Sequence, residues 1–359
     1  MGLSTMETNE TEESVQQLLE AQLMELLDDP EVKNLSVPCV NLSEELGKAA
    51  DIKKQAMRMV ANALEDARLG RHLTIRPIHE IAQRMMSSLL NNDDALLNFS
   101  LIKRRSDYLF QHSVNVGIFM MAMARSLGYE ENVVVGAGVG GMMHDVGMVR
   151  IPENVYNKTS KLSDYELRQV QKHVELGYRL LVRTPGIPEV ALVIAGTHHS
   201  RQDGSGYSLN THQEAFSQFQ PLSAIVDIYD AMTSPRPYRR AWAATSALKK
   251  IHDMSKKRQL DPTLVHTFIH HIGIYPLGSL VRLENQLVGV VIQTNRSSLL
   301  HPIVRLLIDG RDGKKIEPRD IDLLEWKDKA QGYVIVTSEH PEDWGIDPIS
   351  FLPHSALYS

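Results

Sequence analysis

The residues best equipped for chemistry are five histidines and two aspartates, each set in an otherwise apolar helical stretch. His144 and Asp145 stand side by side after a run containing Gly138, Gly140 and Gly141. Neighbouring helical side chains diverge by about 100°. The pair can therefore serve one cluster only where a helix points its end into the site and the carboxylate bridges, and the small residues upstream permit the close packing this needs. His112 belongs to an apolar stretch with Val116, Phe119, Met120 and Met123, where a buried imidazole needs a partner. His173 follows a capping signal, His198 and His199 form a doublet at the end of an apolar helix, and Asp227 interrupts the run Leu222–Tyr229. Any one of these alone reads as a satisfied core polar group; seven of them together do not.

The set suits two metal ions. One would take His112, His144, Asp145 and Asp227; the second would take His173, His198 and His199, with Asp145 as the bridge. Two divalent ions about 3.5–4 Å apart lower the pKa of a shared water and clamp both oxygens of an in-line phosphoryl displacement. Phosphodiester hydrolysis is the matching reaction, with His144 and Asp145 as its catalytic pair. The composition agrees, with 15 His beside 1 Cys. The lone Cys39 excludes a disulfide framework and a thiolate zinc site. A nitrogen-rich ligand set favours Fe or Mn, then Zn or Ni, over Mg or Ca, which prefer oxygen.

These ligands need elements to position them. The chain has 359 residues, 43% apolar and 23% charged, a globular composition with room for two domains. Net charge is −6, but residues 1–32 hold nine acids and no Lys or Arg, leaving 38 basic against 35 acidic residues in the remainder. That near-neutrality argues against a DNA-binding surface. The longest apolar runs, Val116–Ala124 and Val133–Met143, fall far below the ~18 residues of a membrane span. The acidic start lacks the basic region of a signal peptide. A cytoplasmic protein with neither DNA nor membrane as partner is expected.

Residues 1–13 are polar and aperiodic and are expected to be a disordered lead. Residues 14–97 read as a helical region for packing, regulation or dimerisation, with Met57, Val60, Ala61 and Leu64, then Ile78, Ile81, Ala82, Met85, Met86 and Leu89, at helical spacing and breaks at Asp28–Pro30 and Gly70–Arg71. Residues 98–273 read as consecutive helices. Ser163 with Glu166 predicts a capping box, Pro188 a first turn, Asp261-Pro262 a helix start, and Gly128 and Gly147 C-terminal caps. Residues 274–359 read as a small β-rich module, with strands predicted over Ser279–Asn285, Leu287–Thr294, Pro302–Asp309 and Tyr333–Thr337. The fold class is therefore mainly α.

The strings GMMHDVGMVRIPENVYNK, LSDYELRQVQKHVELG, HHSRQDGSGYS and IVDIYDAMTSPRPYRRA resemble, in order and spacing, the HD-GYP family of the HD metal-dependent phosphohydrolase superfamily. The resemblance covers roughly His112 to Gly278 and implies an HD-type helical bundle that hydrolyses cyclic dinucleotides, chiefly cyclic di-GMP, to a linear dinucleotide or mononucleotides. It places the seven residues above on the family's metal-ligand positions. On the same footing Arg236 and Arg239 offer planar donors to phosphate oxygens or a guanine edge. Asp230 either accepts from guanine N1 and N2 or supports a ligand histidine one turn from Asp227. The loop Asp203–Tyr207 permits close backbone approach and is a candidate contact for a signalling protein partner; a homodimer is a further candidate assembly.

Departures from the family pattern are equally specific. Met148 stands where the family carries Lys, which removes a cation near the substrate phosphate, and Arg150 is a candidate replacement. Tyr108 stands where members with a third metal carry Glu, which favours a two-metal centre. Ser200 replaces Glu after the His doublet, and Ser208 replaces the Pro of GYP. These leave mixed cyclic GMP-AMP as a substrate beside cyclic di-GMP, and a sensor without turnover as the alternative function. His266, His270 and His271 lack an accompanying carboxylate and read as packing or surface residues, Lys103–Arg105 and Lys256–Arg258 as solvated faces, and Met120, Met121, Met123, Met142 and Met143 as core filling.

Overall fold

A computed structural model describes residues 42–101, 108–156, 158, 160–211, 214–235, 240–295, 298–326, 329 and 332–353. The expected lead 1–13, the first part of the N-terminal region, the basic run Lys103–Arg105, the side chain of Tyr108, and Arg236 and Arg239 lie outside the described residues.

Helices α1 (Leu42–Arg68), α2 (Arg76–Asn91) and α3 (Asp93–Leu101) form the first layer. The helical spacing expected for α2 is its buried face: Ile78, Ile81, Ala82, Met85, Met86 and Leu89 all face the core. Helix α1 ends at Gly70, whose φ of +72° suits a residue without a Cβ. Buried polar groups pin the layer together. Glu45 accepts from Ser88 Oγ at 2.8 Å and Asn91 Nδ2 at 3.0 Å, joining α1 to α2. The Lys53 ammonium donates to the carbonyl of Phe99, joining α1 to α3.

The bundle behind it contains α4 (Tyr108–Ser126), α5 (Glu131–Met143), a 3-10 turn (Val146–Arg150), the short α6 (Glu153–Tyr156), α7 (Asp164–Val182), α8 (Glu189–Thr197), α9 (Phe219–Thr233), α10 (Ala244–Lys256) and α11 (Pro262–Ile272). Helix α5 is gripped from two sides through its glycines. A Cβ on Gly141 would lie 2.7 Å from Gly117 Cα of α4, and one on Gly140 would lie 2.8 Å from Ala191 Cα of α8. The five methionines expected in the core are fully buried around this contact. Close approach of three backbones is what brings the ends of these helices, and hence their histidines, within reach of one another.

The boundaries follow local chemistry. Ser163 caps α7 in a reciprocal pair: Glu166 N–H donates to Ser163 Oγ at 3.3 Å and Ser163 N–H to the Glu166 carboxylate at 2.7 Å. Asp261 accepts from Leu264 N–H at 2.9 Å ahead of Pro262. Gly128 has φ +79° just after α4, as its capping role requires. Pro188 stands one residue before the first turn of α8, at its N-cap. Gly147 corrects the expectation that it caps a helix. It lies inside the 3-10 turn and presses on α7, where a Cβ would sit 2.0 Å from the His173 carbonyl oxygen and 2.6 Å from Gly177 N.

The C-terminal part is a five-stranded antiparallel sheet in the order β4-β3-β2-β1-β5, with β1 Leu280–Leu283, β2 Leu287–Gln293, β3 Ile303–Asp309, β4 Lys314–Asp322 and β5 Ile335–Glu339. The sequence pattern predicts no strand over Lys314–Asp322, which forms β4. It is an edge strand, mostly exposed, and its KKIEPRDID sequence lacks the apolar alternation that marks a half-buried strand; the edge also tolerates Pro318. Arg240 ties the bundle to this module through Glu342 at 2.9 Å and Asp343 at 2.8 Å. Among the described residues no helix is long and apolar enough to cross a membrane.

Candidate metal centre

The ends of α5 and α8 and the facing sides of α4, α7 and α9 converge on one point. His144 follows the last residue of α5 and Asp145 opens the 3-10 turn, so the helix does end inside the site. The seven expected ligands come together in two groups, Asp145 with His173, His198 and His199, and His112 with His144 and Asp227. Within each group one donor atom per residue lies within 4.8 Å of the others.

Asp145 joins the groups. Its Oδ1 lies 3.2 Å from His173 Nε2 and 3.6 Å from His198 Nε2, while its Oδ2 lies 3.5 Å from His144 Nε2 and 4.0 Å from His112 Nε2. Each oxygen thus faces a different set of imidazoles. Asp227 Oδ1 lies 3.2 Å from His112 Nε2 and 3.7 Å from His144 Nε2, and its Oδ2 lies 3.8 Å from His199 Nδ1.

On three of the histidines the other ring nitrogen is held by the backbone. His144 Nδ1–H donates to Gly141 O at 2.7 Å, His173 Nδ1–H to Val170 O at 2.7 Å, and His198 Nδ1–H to Ala195 O at 3.1 Å. Because a carbonyl only accepts, these bonds fix the proton on Nδ1 and leave the Nε2 lone pair directed into the site, the arrangement a metal-binding histidine needs. His144 Nε2 is buried and has no hydrogen-bond partner. Leaving such an atom unpaired is costly, and a divalent cation satisfies it. The residues present fit two metal ions held by nitrogen and carboxylate oxygen.

The electrostatics point the same way. Burial opposes charge on Asp145, but His144, His173 and His198 hold its carboxyl well below the usual range. Burial likewise opposes charge on Asp227, which His112 and His144 hold low. Burial also works against a proton on His112, yet Asp227 and Asp230 at its two ring nitrogens raise it to about 10 without a metal. Burial, aided by neighbouring His198, pushes His199 down to about 2. The carboxylates are therefore ionised near neutrality and His199 is unprotonated, ready to offer a lone pair.

Asp230 decides between the two roles open to it. Its Oδ2 accepts from His112 Nδ1 at 2.7 Å and Ser234 Oγ at 3.0 Å, and its Oδ1 accepts from Asn115 Nδ2 at 3.1 Å. With no exposed surface and these bonds inside the protein, it takes the second of the two roles left open in the sequence, support of His112. Arg150, the candidate replacement for the missing cation, is exposed, and its Nη2 would lie 4.0 Å from a Cβ on Gly70.

Sequence reasoning missed Asn115, Ser234 and Arg201 here and named Tyr207 only as the end of a loop. Asn115 and Ser234 lie at helical spacing from His112 and Asp230, a signal that was present. Tyr207 stacks on His199 with ring centroids 4.6 Å apart and planes 30° apart. Arg201, directly after the His doublet and its serine, is half-buried with Nη1 donating to Ser200 O at 2.6 Å. The loop that carries Tyr207 needs its glycines: Gly204 has φ +76°, and a Cβ on Gly206 would meet His199 O at 2.3 Å. Among the described residues, His266, His270 and His271 group with no carboxylate as a metal site.

Comparison with known proteins agrees with this geometry. A family profile described as "HD domain" matches residues 97–264. The cyclic di-GMP phosphodiesterase PA4108 of Pseudomonas aeruginosa is 34% identical over 79% of this chain and 68% of its own length. The response regulator RpfG of Xanthomonas campestris, also named a cyclic di-GMP phosphodiesterase, is 33% identical over 41% of this chain and 39% of its own. The 3'3'-cGAMP-specific phosphodiesterase 2 of Vibrio cholerae is 30% identical over 47% of this chain and 33% of its own, so the chain spans well under two thirds of these last two relatives. The solved structure of Bd1817, an HDG"Y"P protein from Bdellovibrio bacteriovorus, shares the fold with a TM-score of 0.50 over 73% of this chain and 80% of that one, at 17% identity. Sequence motifs, helix packing and relatives converge, and the chain belongs to the HD-GYP family of HD-domain metal-dependent phosphohydrolases.

Proposed function

We propose that this protein is a metal-dependent phosphodiesterase that hydrolyses a cyclic dinucleotide, cyclic di-GMP or cyclic GMP-AMP, to a linear dinucleotide or mononucleotides. The observation that carries this reading is Asp145, whose two carboxylate oxygens face two separate histidine groups. In this assignment His112, His144 and Asp227 hold one divalent ion, His173, His198 and His199 hold the other, and Asp145 binds both. When bound, two such ions supply Lewis acidity at the phosphodiester oxygens and activate water near neutral pH. The protein's own part is to fix the lone pairs through the Gly141, Val170 and Ala195 carbonyls and to keep both aspartates ionised. Arg236 and Arg239 are assigned to the substrate.

Fe or Mn is the native metal in this reading, ahead of Zn or Ni, because the donor set is rich in imidazole. Residues 98–273 form the catalytic unit, with 14–97 as a regulatory or dimerisation region and 274–359 as an accessory β module. The names of the relatives support both substrates, cyclic di-GMP for two of them and 3'3'-cGAMP for a third. An anaerobic assay in defined Fe(II) or Mn(II), with cyclic di-GMP and cyclic GMP-AMP side by side and products separated by chromatography, tests activity and substrate together. A second reading, a sensor that binds without turnover, is favoured by Met148 in place of the family's Lys. Recovery of tightly bound, intact dinucleotide in that assay selects it.

A further inference from the structure

Four of the five clustered histidines have one ring nitrogen tied down by a short hydrogen bond. His144, His173 and His198 each use the carbonyl three residues earlier, Gly141, Val170 and Ala195, and His112 uses Asp230. His199 has no such tie. The carbonyl three residues before it, Gly196 O, accepts instead from Leu209 N–H at 2.8 Å. Among the described residues neither ring nitrogen of His199 makes a hydrogen bond, and Asp227 Oδ2 stands 3.8 Å from its Nδ1. Its side chain is 22% exposed, against 4% or less for the other four, so it is also the imidazole that solvent reaches most. A histidine binds a metal well only when something outside the site fixes the direction of its lone pair.

An aromatic ring stands where that bond is missing. Tyr207 lies over the face of His199, with centroids 4.6 Å apart and planes 30° apart, and meets His173 edge-on at 6.4 Å with planes at 90°. The backbone fixes the pair. Tyr207 N–H donates to His199 O at 3.0 Å, so the loop returns the tyrosine to the residue it covers, and a Cβ on Gly206 would meet that same oxygen at 2.3 Å. The turn between them is closed by Gly204 N–H donating to Arg201 O at 3.1 Å and Ser205 N–H donating to Asp203 Oδ1 at 2.9 Å. Leu209, which occupies Gly196 O, lies two residues further along the same return. The loop thus takes one anchor away from His199 and supplies another. Aromatic pairs at this separation attract beyond the area they bury.

We infer that Tyr207 is the positioning residue of His199: by stacking it sets the orientation of the imidazole and covers it from solvent, the part that a hydrogen bond plays for the other four. The inference rests on the two-metal assignment above and makes the two sites unequal. The group of His112, His144 and Asp227 stands clear of this ring, whereas His173 and His199 both lie beside it. Loss of the ring therefore weakens one ion and spares the other.

The test strips the full chain of metal and titrates it with Mn(II) by calorimetry for wild type, Tyr207→Phe and Tyr207→Ala. Tyr207→Ala should weaken one of the two ions by about 10-fold or more, the range for losing a group that orients a metal-binding histidine, with the other unchanged. Tyr207→Phe keeps the ring and should keep both affinities. Unchanged binding in Tyr207→Ala overturns the inference. So does a loss in Tyr207→Phe as large as in Tyr207→Ala, which assigns the effect to the hydroxyl, and so does equal weakening of both ions, which assigns it to the fold. A second measurement needs no metal. In the metal-free protein the Tyr207 ring should shift the His199 ring-proton resonances upfield, these signals being identified by their loss in His199→Gln; the shift should persist in Tyr207→Phe and vanish in Tyr207→Ala. Its absence from wild type overturns the inference. A wild type that takes up a single ion yet shows the shift refutes the two-metal assignment while upholding Tyr207 as the residue that orients His199.

Discussion

His112 and Asp230 are bonded across two helices, imidazole Nδ1 to carboxylate Oδ2 at 2.7 Å, while the other face of the same ring meets Asp227 at 3.2 Å. Asp227 and Asp230 are one turn apart on α9, so a single helix holds the histidine from both sides.

That relationship makes Asp230 a sensitive position although it has no exposed surface. Asp230→Asn should lower metal affinity or activity by about 10- to 100-fold, the usual cost of losing a group that orients a metal-binding histidine. Metal titration of the chelated protein, followed by turnover at saturating metal, separates the two effects. Unchanged affinity would show that His112 keeps its orientation without Asp230.

Asp145→Ala removes the carboxylate that faces both histidine groups. Bound metal should drop from about two ions per chain to below one, with turnover lost in step. Elemental analysis of protein purified without oxygen reads the first quantity and the product assay the second. Retained turnover in this variant sinks the assignment.

Gly147→Ala places a methyl group where the His173 carbonyl already stands, 2.0 Å from the new Cβ. The obstacle is backbone, so α7 must move and His173 with it. The variant should lose about 1–3 kcal/mol of stability, in the range of an overpacked core, together with metal bound through His173. Denaturant melts with and without metal check both. An equal loss at a glycine remote from the site, without metal loss, serves as the control.

Glu166 supplies a pH signature remote from the metals. Lys158 and the Ser163 backbone and hydroxyl hold its carboxyl down at about 2 against an ordinary value of 4.5. A depressed acid stabilises the fold fully above its unfolded pKa and loses that contribution as pH falls through its folded pKa. Glu166→Gln should therefore lower the melting temperature at pH 7, and the gap to wild type should narrow between about pH 4.5 and pH 2. High salt should narrow it too, because the pair is partly exposed. A gap constant across that range would assign the effect to capping geometry alone.

Much of this architecture is legible in the sequence, for physical reasons that vary by residue. The face of α2 and the Ser163–Glu166 capping box are local patterns, and both recur in the structure at the expected positions. The seven clustered residues are legible because polar groups in apolar helices need partners. Strand β4 is not legible, since an exposed edge strand has no buried face to imprint a period on its sequence. Gly147 is misread for a related reason. A glycine after a helix signals a cap, whereas its partner here is a backbone 26 positions away at His173, which no local pattern reveals. Asp230 leaves two roles open in the sequence, and only its burial separates them.

The end of α1 packs near the turn that follows Asp145, with Arg68 reaching Glu153 at 3.9 Å and the Gly70 turn meeting Arg150. During synthesis that end of α1 leaves the ribosome well before the turn it covers. Ala63, Leu64 and Ala67 at that end are buried in the folded chain, and apolar surface of this kind is exposed while a chain is incomplete. A nascent chain halted before Val146 would present that surface to chaperones and still lack the turn opened by Asp145.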